Sequence, residues 1–282
     1  MPTRSFCIIT NPLAGKGKPL KLLSTITQKF SSQNISFKTF ENNLPDSLNE
    51  FTDLLILGGD GTLQYTLNFY KQIPIAISII PCGTGNDFSW VLHGDKSLEE
   101  LLEIALNGTP TGVDAGSCNG RIFLNGIGIG FDGEIAKLTG GRKKLGGHIS
   151  YLLTVLKHIF RYREKQMNLE FDGVDTAGKY FMVAAANGQR YGGGFKVSPF
   201  SSIHDGELNL LIIHPLSILK RLRYLPLIER GRHLDLTVIE HRQIKKLKVT
   251  SNETLTAHLD GEVEEGREFE ITVLPTRFYF RH

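Results

Sequence analysis

The chain has 282 residues, of which 40% are hydrophobic and 22% are charged. This length accommodates about two domains, and the composition is that of a globular protein with a sizeable core. The net charge of +3 is too small to predict a nucleic-acid partner, and no apolar run approaches the ~20 residues of a membrane-spanning helix, so we expect any membrane contact to be peripheral.

The first 110 residues alternate short apolar runs with helical segments, which is the pattern of a mainly parallel α/β sheet. The clearest helix covers residues 97–106, where Ser97 and Glu100 form a capping box. Another helix is expected from Pro19. The predicted strands are residues 5–10, 34–40, 53–57 and 73–80.

From about Thr111 onwards, short β runs rich in glycine and asparagine dominate, and a helix around residues 148–162 interrupts them. This pattern predicts a second domain that consists mostly of antiparallel β strands. We therefore expect an α/β domain over residues 1–110 and a second, β domain over residues 111–274. The tail, residues 275–282, is expected to return to the first domain.

Two successive predicted strands end in glycine turns that carry an acidic residue, "GGDGT" (58–62) and "PCGTGNDF" (81–88). Strand ends of a parallel sheet meet at one edge, where glycines let backbone N–H groups approach a phosphate. Asp60 and Asp87 would repel a phosphate unless a divalent cation lay between them. The alternative is that each aspartate only caps a helix.

The first strand leads into a third loop, "TNPLAGKGK" (10–18), which is not a Walker A sequence. Its lysines, Lys16 and Lys18, either meet anionic groups or are simply solvated. The three cysteines, Cys7, Cys82 and Cys118, are not at metal-ligand spacing and indicate a reducing, cytoplasmic environment.

The series of motifs resembles the catalytic domain of diacylglycerol kinases and related bacterial lipid kinases, which are related to sphingosine kinases and more distantly to NAD kinases. "GGDGT" alone is shared with NAD kinases and phosphofructokinases, whereas the full series is specific and covers nearly the whole chain. The other motifs are "NPLAGKG" (11–17), "VDAG" (113–116), "FLNGIGIGFDG" (123–133), "AANGQRYGGGFKVSP" (185–199), "HDGELNLLII" (204–213) and "HLDGE" (258–262).

This resemblance implies that residues 1–110 form a nucleotide-binding domain with an ATP site and that residues 111–274 form a lipid-binding, catalytic β-sandwich. It also implies catalysis in the cleft between the two domains. It assigns the acid–base role to the late Asp-Gly-Glu, with Glu262 as the base and Asp260 as its partner or substitute, and it gives Asp60 a catalytic role. The implied nucleotide-contacting residues are Thr39, Gly58, Gly59, Asp60, Gly61, Thr62, Leu63, Gln64, Thr84, Asn86 and Asp87.

The resemblance also implies Mg²⁺. Asp87 and Asp114 would join Asp60 in a carboxylate–water–magnesium network, and a second, structural ion would be held by Asp205 with the backbone carbonyls of Ser202 and Glu207. Two departures from the family pattern occur. Gln64 and Tyr65 replace the Asn-Glu that usually follows this glycine loop, and His204 replaces the first Asp of the second ion's turn.

Two sequence features favour a structural role over a ligand-binding or membrane-binding role. The "GIGFDG" of residues 128–133 matches G-x-G-x-x-G, but no acidic residue follows at a strand end, so a tight β bend is expected. The helix at 148–165 is expected to pack on the sandwich with Leu152, Val155, Leu156, Ile159 and Phe160 on one face. The alternative is a helix that lies on a membrane.

Together these features predict an ATP- and Mg²⁺-dependent lipid kinase that phosphorylates a diacylglycerol-like lipid alcohol. Basic runs at residues 140–147, 157–165 and 219–233 are either a solvated face or a surface that docks on the inner face of the membrane. The alternatives are a soluble-substrate kinase similar to NAD kinase and a catalytically silent regulatory protein. The sequence leaves the oligomeric state open, and a homodimer is compatible with it.

Overall fold

A computed structural model describes residues 4–12, 14–70, 72–140 and 147–282 of the chain. The chain divides into two compact units. Unit 1 comprises Met1–Val113 and Thr276–His282, and unit 2 comprises Asp114–Pro275.

Unit 1 is built on a parallel sheet with the strand order β14-β4-β3-β1-β2. The central strand β3 is buried at every position, because helices cover a parallel sheet on its faces. The predicted parallel α/β architecture is confirmed. The strands are β1 (Ser5–Thr10), β2 (Ser36–Glu41), β3 (Asp53–Gly58), β4 (Ala76–Pro81) and the end of β14 (Glu262–Arg281).

Helices follow the strands of unit 1. Ser97 and Glu100 form the predicted capping box at the start of the last helix, with each side chain bonded to the other residue's backbone N–H. The first and last helices share one apolar core with β1 and β3, to which they contribute Phe30 and Leu102. The helices are α1 (Lys18–Ser32), α2 (Asp60–Phe69), α3 (Asp87–His93) and α4 (Leu98–Asn107).

The C-terminal residues are tied to the sheet of unit 1 by a buried carboxylate. Asp53 accepts a hydrogen bond from Arg281 Nε at 2.8 Å and forms an ion pair with Arg4 Nη2 at 2.7 Å. Burial opposes ionisation of Asp53, but hydrogen bonds from Arg4, Thr52 and Arg281 hold the pKa of its carboxyl below the usual value. A buried carboxylate with two cationic partners anchors the tail.

Unit 2 is an antiparallel sandwich, as predicted, with neighbouring strands in the order β12-β11-β10-β7-β13-β14 and the β8–β9 hairpin beside β13. Its strands are β5 (Pro110–Cys118), β6 (Arg121–Phe123), β7 (Gly126–Gly130), β8 (Lys165–Phe171), β9 (Val174–Tyr180), β10 (Met182–Ala186), β11 (Leu208–Ile213), β12 (Ile239–Ile244) and β13 (Lys246–Leu259), with β14.

Three helices cover one face of this sheet, α5 (Phe131–Thr139), α6 (Gly147–Ile159) and α7 (Ile218–Glu229). Successive residues of a strand point to opposite faces, so Met182 and Ala184 pack towards the helices while Val183 and Ala185 pack into the other core. Strand β10 is therefore buried at every position.

Two expectations for unit 2 were wrong. Residues 128–133 do not form a β bend, because β7 ends at Gly130 (φ +94°) and α5 begins at the next residue. Val155 and Ile159 do face the core, but Phe160 lies outside α6 and is 58% exposed. The predicted helix continued past Ile159, where α6 ends, and so Phe160 was placed on the buried face.

Candidate active site

The two glycine turns of unit 1 are packed against each other, backbone to backbone. A Cβ on Gly59 would lie 2.9 Å from the Gly83 Cα, and a Cβ on Gly83 would lie 2.7 Å from the Gly59 Cα. The Gly58 carbonyl also accepts a hydrogen bond from Cys82 N at 2.8 Å. Glycine is needed at both positions because any side chain would push the two turns apart.

Gly61 has a different environment. It is exposed in the first turn of α2, and no described heavy atom lies within 4 Å of where its Cβ would be. The N–H groups of a first helical turn have no partner within the helix, and they carry the positive end of the helix dipole. This open position allows an anion to approach the backbone.

The Asp60 carboxylate joins the two turns. Its Oδ1 accepts a hydrogen bond from Phe88 N, in the first turn of α3, at 3.1 Å. Asp60 therefore caps α3, whereas α2, the helix in which it lies, has no side-chain cap. The capping alternative raised by the sequence holds in this unexpected form, and it brings Asp60 close to the start of α3, where Asp87 lies.

Asn86 shapes the second turn. It adopts φ +52°, accepts from Gly83 N at 2.8 Å and donates to Gly83 O at 2.9 Å. Asparagine tolerates this left-handed conformation better than most residues. The side chain closes the loop 83–86, with Thr84 exposed within it, and Asp87 is buried as the first residue of α3.

The remaining predicted nucleotide contacts are more scattered. Thr62 is half-buried in the first turn of α2, and Thr39 is exposed on β2. Leu63 and Gln64 are buried within α2. Tyr65, which follows them, is 63% exposed.

In unit 2, Asp260 and Gly261 form the two-residue turn between β13 and β14, with φ angles of +48° and +92°. The Asp260 carboxylate accepts three backbone N–H groups, from Leu124 at 2.6 Å, Asn125 at 2.9 Å and Gly126 at 3.0 Å. Glu262 is exposed, and its side chain forms no hydrogen bond or ion pair with any described residue. The two carboxylates thus differ sharply in what binds them.

The predicted second ion site lies on the loop that leads into β11. Asp205 accepts from Glu207 N at 3.1 Å and from Gln243 Nε2 at 3.3 Å, and Ser202 Oγ accepts from His204 N at 3.2 Å. Asp114 contacts this same loop, since its Oδ2 accepts from Gly206 N at 2.7 Å.

The described residues contain no group of three or more His, Cys, Asp and Glu side chains arranged to hold a metal ion by themselves. Mg²⁺ is ordinarily bound by one or two carboxylates, with water and substrate phosphates completing its shell. The oxygen donors of Asp60 and Asp87, at the starts of two helices linked by one hydrogen bond, fit that requirement.

Sequence reasoning missed an apolar pocket in unit 2. It encloses about 660 Å³, including its open mouth, between α5, α6, α7 and the inner strands. Its walls are mostly apolar, for example Ile135, Val155 and Leu225, and its charged lining residues are Asp132 and Arg221. Mostly apolar walls with a few charged groups are typical of ligand sites.

Sequence reasoning also missed a buried pair at the pocket wall. His258 Nε2 lies 2.9 Å from Asp132 Oδ2. Burial disfavours the charged form of this imidazole. The negative charges of Asp132 and Asp260 favour the charged form more strongly, so the pKa of His258 is raised. The one sequence signal was the "HLDGE" motif, which includes His258 without indicating its partner.

No helix in the described ranges is both long enough and apolar enough to span a bilayer.

Comparison with known proteins covers both units. Residues 5–118 match the family described as "Diacylglycerol kinase catalytic domain", and residues 125–279 match "YegS C-terminal NAD kinase beta sandwich-like domain". The chain is 27% identical over 273 residues to the diacylglycerol kinase of Bacillus subtilis (strain 168), covering 90% of this chain and 88% of that one. It is 30% identical over 226 residues to a "Probable lipid kinase YegS-like" protein of Chromohalobacter salexigens, covering 77% and 72%.

Solved structures share the fold. A diacylglycerol kinase structure from Bacillus anthracis superposes with a TM-score of 0.75 at 21% identity, covering 100% of this chain and 98% of that one. An NAD kinase from Archaeoglobus fulgidus in complex with ATP superposes with a TM-score of 0.58 at 16% identity, covering 98% and 93%. At these identities the likeness concerns the fold alone.

Proposed function

We propose that this chain, which belongs to the diacylglycerol kinase and YegS family of lipid kinases, transfers the γ-phosphoryl group of ATP to the hydroxyl of a diacylglycerol-like lipid. The observation that carries the acceptor class is the apolar pocket of unit 2, because its walls suit acyl chains and not a dinucleotide. The likeness to NAD kinase is one of fold.

The glycine turns of unit 1 bind the nucleotide in this proposal. Backbone N–H groups around Gly61 would meet phosphate oxygens, and the hydroxyls of Thr62 and Thr84 would add donors. Phosphoryl transfer needs positioning and charge neutralisation more than covalent help from the protein. The open space at Gly61 and the joined turns support this role.

Asp60 and Asp87 would hold Mg²⁺, and Asp205 with the backbone carbonyls of Ser202 and Glu207 would hold a second, structural ion. Asp114, which the resemblance assigns to the first network, contacts the loop of the second ion. When bound, the catalytic ion neutralises phosphate charge and orients the transferred group. The oxygen-only donor set supports Mg²⁺ over a softer metal.

Glu262 is the proposed base. It would accept the proton of the lipid hydroxyl while that oxygen forms its bond to the γ-phosphorus and ADP leaves. Asp260 already accepts three backbone N–H groups, so its lone pairs are committed to the turn, whereas Glu262 is exposed and unengaged among the described residues. This contrast supports Glu262 over Asp260.

The direct test supplies labelled ATP and Mg²⁺ with diacylglycerol, other lipid alcohols or NAD. Label in a lipid is the expected result. Label in NAD alone would show a soluble-substrate kinase, and nucleotide binding without transfer to any acceptor would show a regulatory protein.

Filling the pocket should impair use of long-chain lipid. Leu225 is a half-buried lining residue on α7. The indole of a Leu225→Trp variant should exclude about two methylenes of the acyl chain from the pocket, and burial of each is worth about 0.8 kcal/mol. The KM for long-chain diacylglycerol should therefore rise about tenfold. The KM for ATP should not change.

Val174→Trp is the matched control, because Val174 is 40% exposed on β9 and does not line the pocket. An unchanged lipid KM in Leu225→Trp, or an equal rise in the KM for ATP, would contradict the assignment of the pocket to the acyl chains.

Peripheral docking on an anionic membrane is the second part of the proposal. The helices that line the pocket also expose apolar side chains, among them Phe160 just after α6 and Leu219 (78%) on α7, near the exposed Lys220 and Arg223. Amphipathic basic helices of this kind lie at the lipid interface. The basic residues Arg142, Lys143 and Lys144 lie outside the described residues.

Charge reversal should separate docking from catalysis. Each cation near an anionic bilayer contributes about 1 kcal/mol, so Lys220→Glu with Arg223→Glu should weaken binding to phosphatidylserine vesicles more than tenfold. Wild-type binding should fall steeply with salt, since the Debye length is about 10 Å at 0.1 M.

The control reverses two exposed lysines on the strands of the same unit, Lys179 and Lys246, with the same change in net charge. Equal losses in both double variants, or salt-insensitive binding of the wild type, would show that the α7 charges serve solubility instead.

A further inference from the structure

The charged side chains of the pocket wall have different tasks. Arg221 donates to the carbonyls of Ile159 at 2.7 Å and Tyr162 at 3.0 Å, and to Glu164 Oε1 at 2.6 Å. Arg221 therefore closes the C-terminal end of α6, and its charge is offset by Glu164. Asp132 is not committed to the fold in this way, and among the described residues its side chain pairs with His258.

The pairing of β7 with β13 brings Asp132 within hydrogen-bond distance of His258. His258 on β13 stands opposite Gly128 on β7 in the antiparallel register. A Cβ at position 128 would lie 2.3 Å from Asp132 Oδ2 and 2.9 Å from His258 Nε2. Glycine at this position leaves the space that the carboxylate occupies, so the "GIGFDG" motif serves this contact and not a dinucleotide.

The other ring nitrogen of His258 points to the turn before the proposed base. Nδ1 accepts a hydrogen bond from Gly261 N at 3.3 Å, and Glu262 is the next residue. The imidazole is 4% exposed, and the Tyr191 ring lies against it at 5.1 Å. Acceptance at Nδ1 places the ring proton on Nε2, from which it is donated to Asp132.

We propose that Asp132 and His258 are positioning residues that tie the wall of the lipid pocket to the Asp260–Gly261 turn and so fix the placement of Glu262. The proposal rests on the proposed function for its role in catalysis. Asp132 lines the pocket and His258 contacts the turn, so the acceptor site and the base share one hydrogen-bonded chain. A base displaced by about 1 Å can cost about 10² in rate.

Substitutions at position 258 test the two hydrogen bonds of His258 separately. His258→Phe keeps an aromatic ring against Tyr191 but removes both hydrogen bonds, and kcat should fall about tenfold to 100-fold with the KM for ATP unchanged. His258→Gln retains a donor for Asp132, and His258→Asn retains an acceptor for Gly261 N. Each should recover part of the lost kcat. If His258→Phe does not fold, Asp132→Ala, which removes the acceptor of the Nε2 proton, should show the loss of kcat expected from breaking the Asp132 bond.

The matched control is His158→Phe, because His158 forms a similar pair with Glu134 at 2.8 Å in the same unit but is not itself a pocket-lining residue. The phenyl ring keeps the stacking of this position on Phe131. Its kcat should stay within about twofold of wild type. A loss of kcat in His258→Phe no larger than that of His158→Phe at equal folded fraction would overturn the proposal.

Hydrogen exchange separates this proposal from the proposed function. The Gly261 amide should exchange faster in His258→Phe than in wild type, whatever the acceptor is. If the wild type phosphorylates no lipid, the proposed function fails while faster exchange still supports the link to the turn. If lipid is phosphorylated but neither kcat nor Gly261 exchange changes, the positioning role is wrong and the function stands.

Discussion

Asp60→Asn should lower kcat by about 10² or more, because removal of one charge from a preorganised phosphate site has effects of this size. The change keeps an oxygen that can accept from Phe88 N, so the cap of α3 is retained. Asp60→Ala would abolish turnover as well, but it also removes that cap, which costs about 1 kcal/mol of stability. Steady-state kinetics and thermal unfolding of both variants measure the two effects separately.

The control is Asp95→Asn, an exposed aspartate in the same unit. Its turnover should match that of the wild type. The Asp60 variant should also need more Mg²⁺ for half-maximal rate. Wild-type turnover in Asp60→Asn, or unfolding of this isosteric variant, would show that the residue serves only as a cap.

The parallel sheet and the glycine turns could be predicted because their signals are local. Buried strands, capping residues such as Ser97, and glycines at strand ends act within a few residues of where they stand. The sequence indicated only part of the reason for these glycines. Gly59 and Gly83 are needed as much for their contact with each other as for any ligand.

Contacts between distant residues could not be predicted. The bond from Phe88 N to Asp60 joins residues 28 apart, and the His258–Asp132 pair joins residues 126 apart. The pocket arises where three helices pack on one sheet face, and it has no sequence pattern of its own. A resemblance identifies such residues only where they fall inside a motif, and a motif does not state which side chains meet.

Asp260 and Glu262 show what geometry adds to a motif. Both belong to "HLDGE", and the sequence left the choice of base between them open. The positive φ of Asp260 and its three N–H partners give it a conformational task, in which its carboxylate holds the strand end 124–126 against the turn. The residue two positions later is left to face outwards.

Glu262→Gln should lower phosphoryl transfer by about 10² or more, while nucleotide affinity persists. The amide preserves the shape of the side chain but does not accept a proton, and no hydrogen bond among the described residues is lost with the charge. Thermal stability should therefore be unchanged. Single-turnover transfer to lipid and a separate ATP-binding titration measure the two quantities.

Glu270→Gln is the control, because Glu270 is an exposed glutamate on the same strand, and its transfer rate should remain near that of the wild type. Asp260→Asn gives the opposite signature. Its carboxylate accepts three N–H groups, so the amide must lose at least one of these bonds and the unfolding midpoint should drop. Near-normal transfer in Glu262→Gln, together with loss of transfer in folded Asp260→Asn, would move the base role to Asp260, since a turn that only places Glu262 does not matter when Glu262 itself is dispensable.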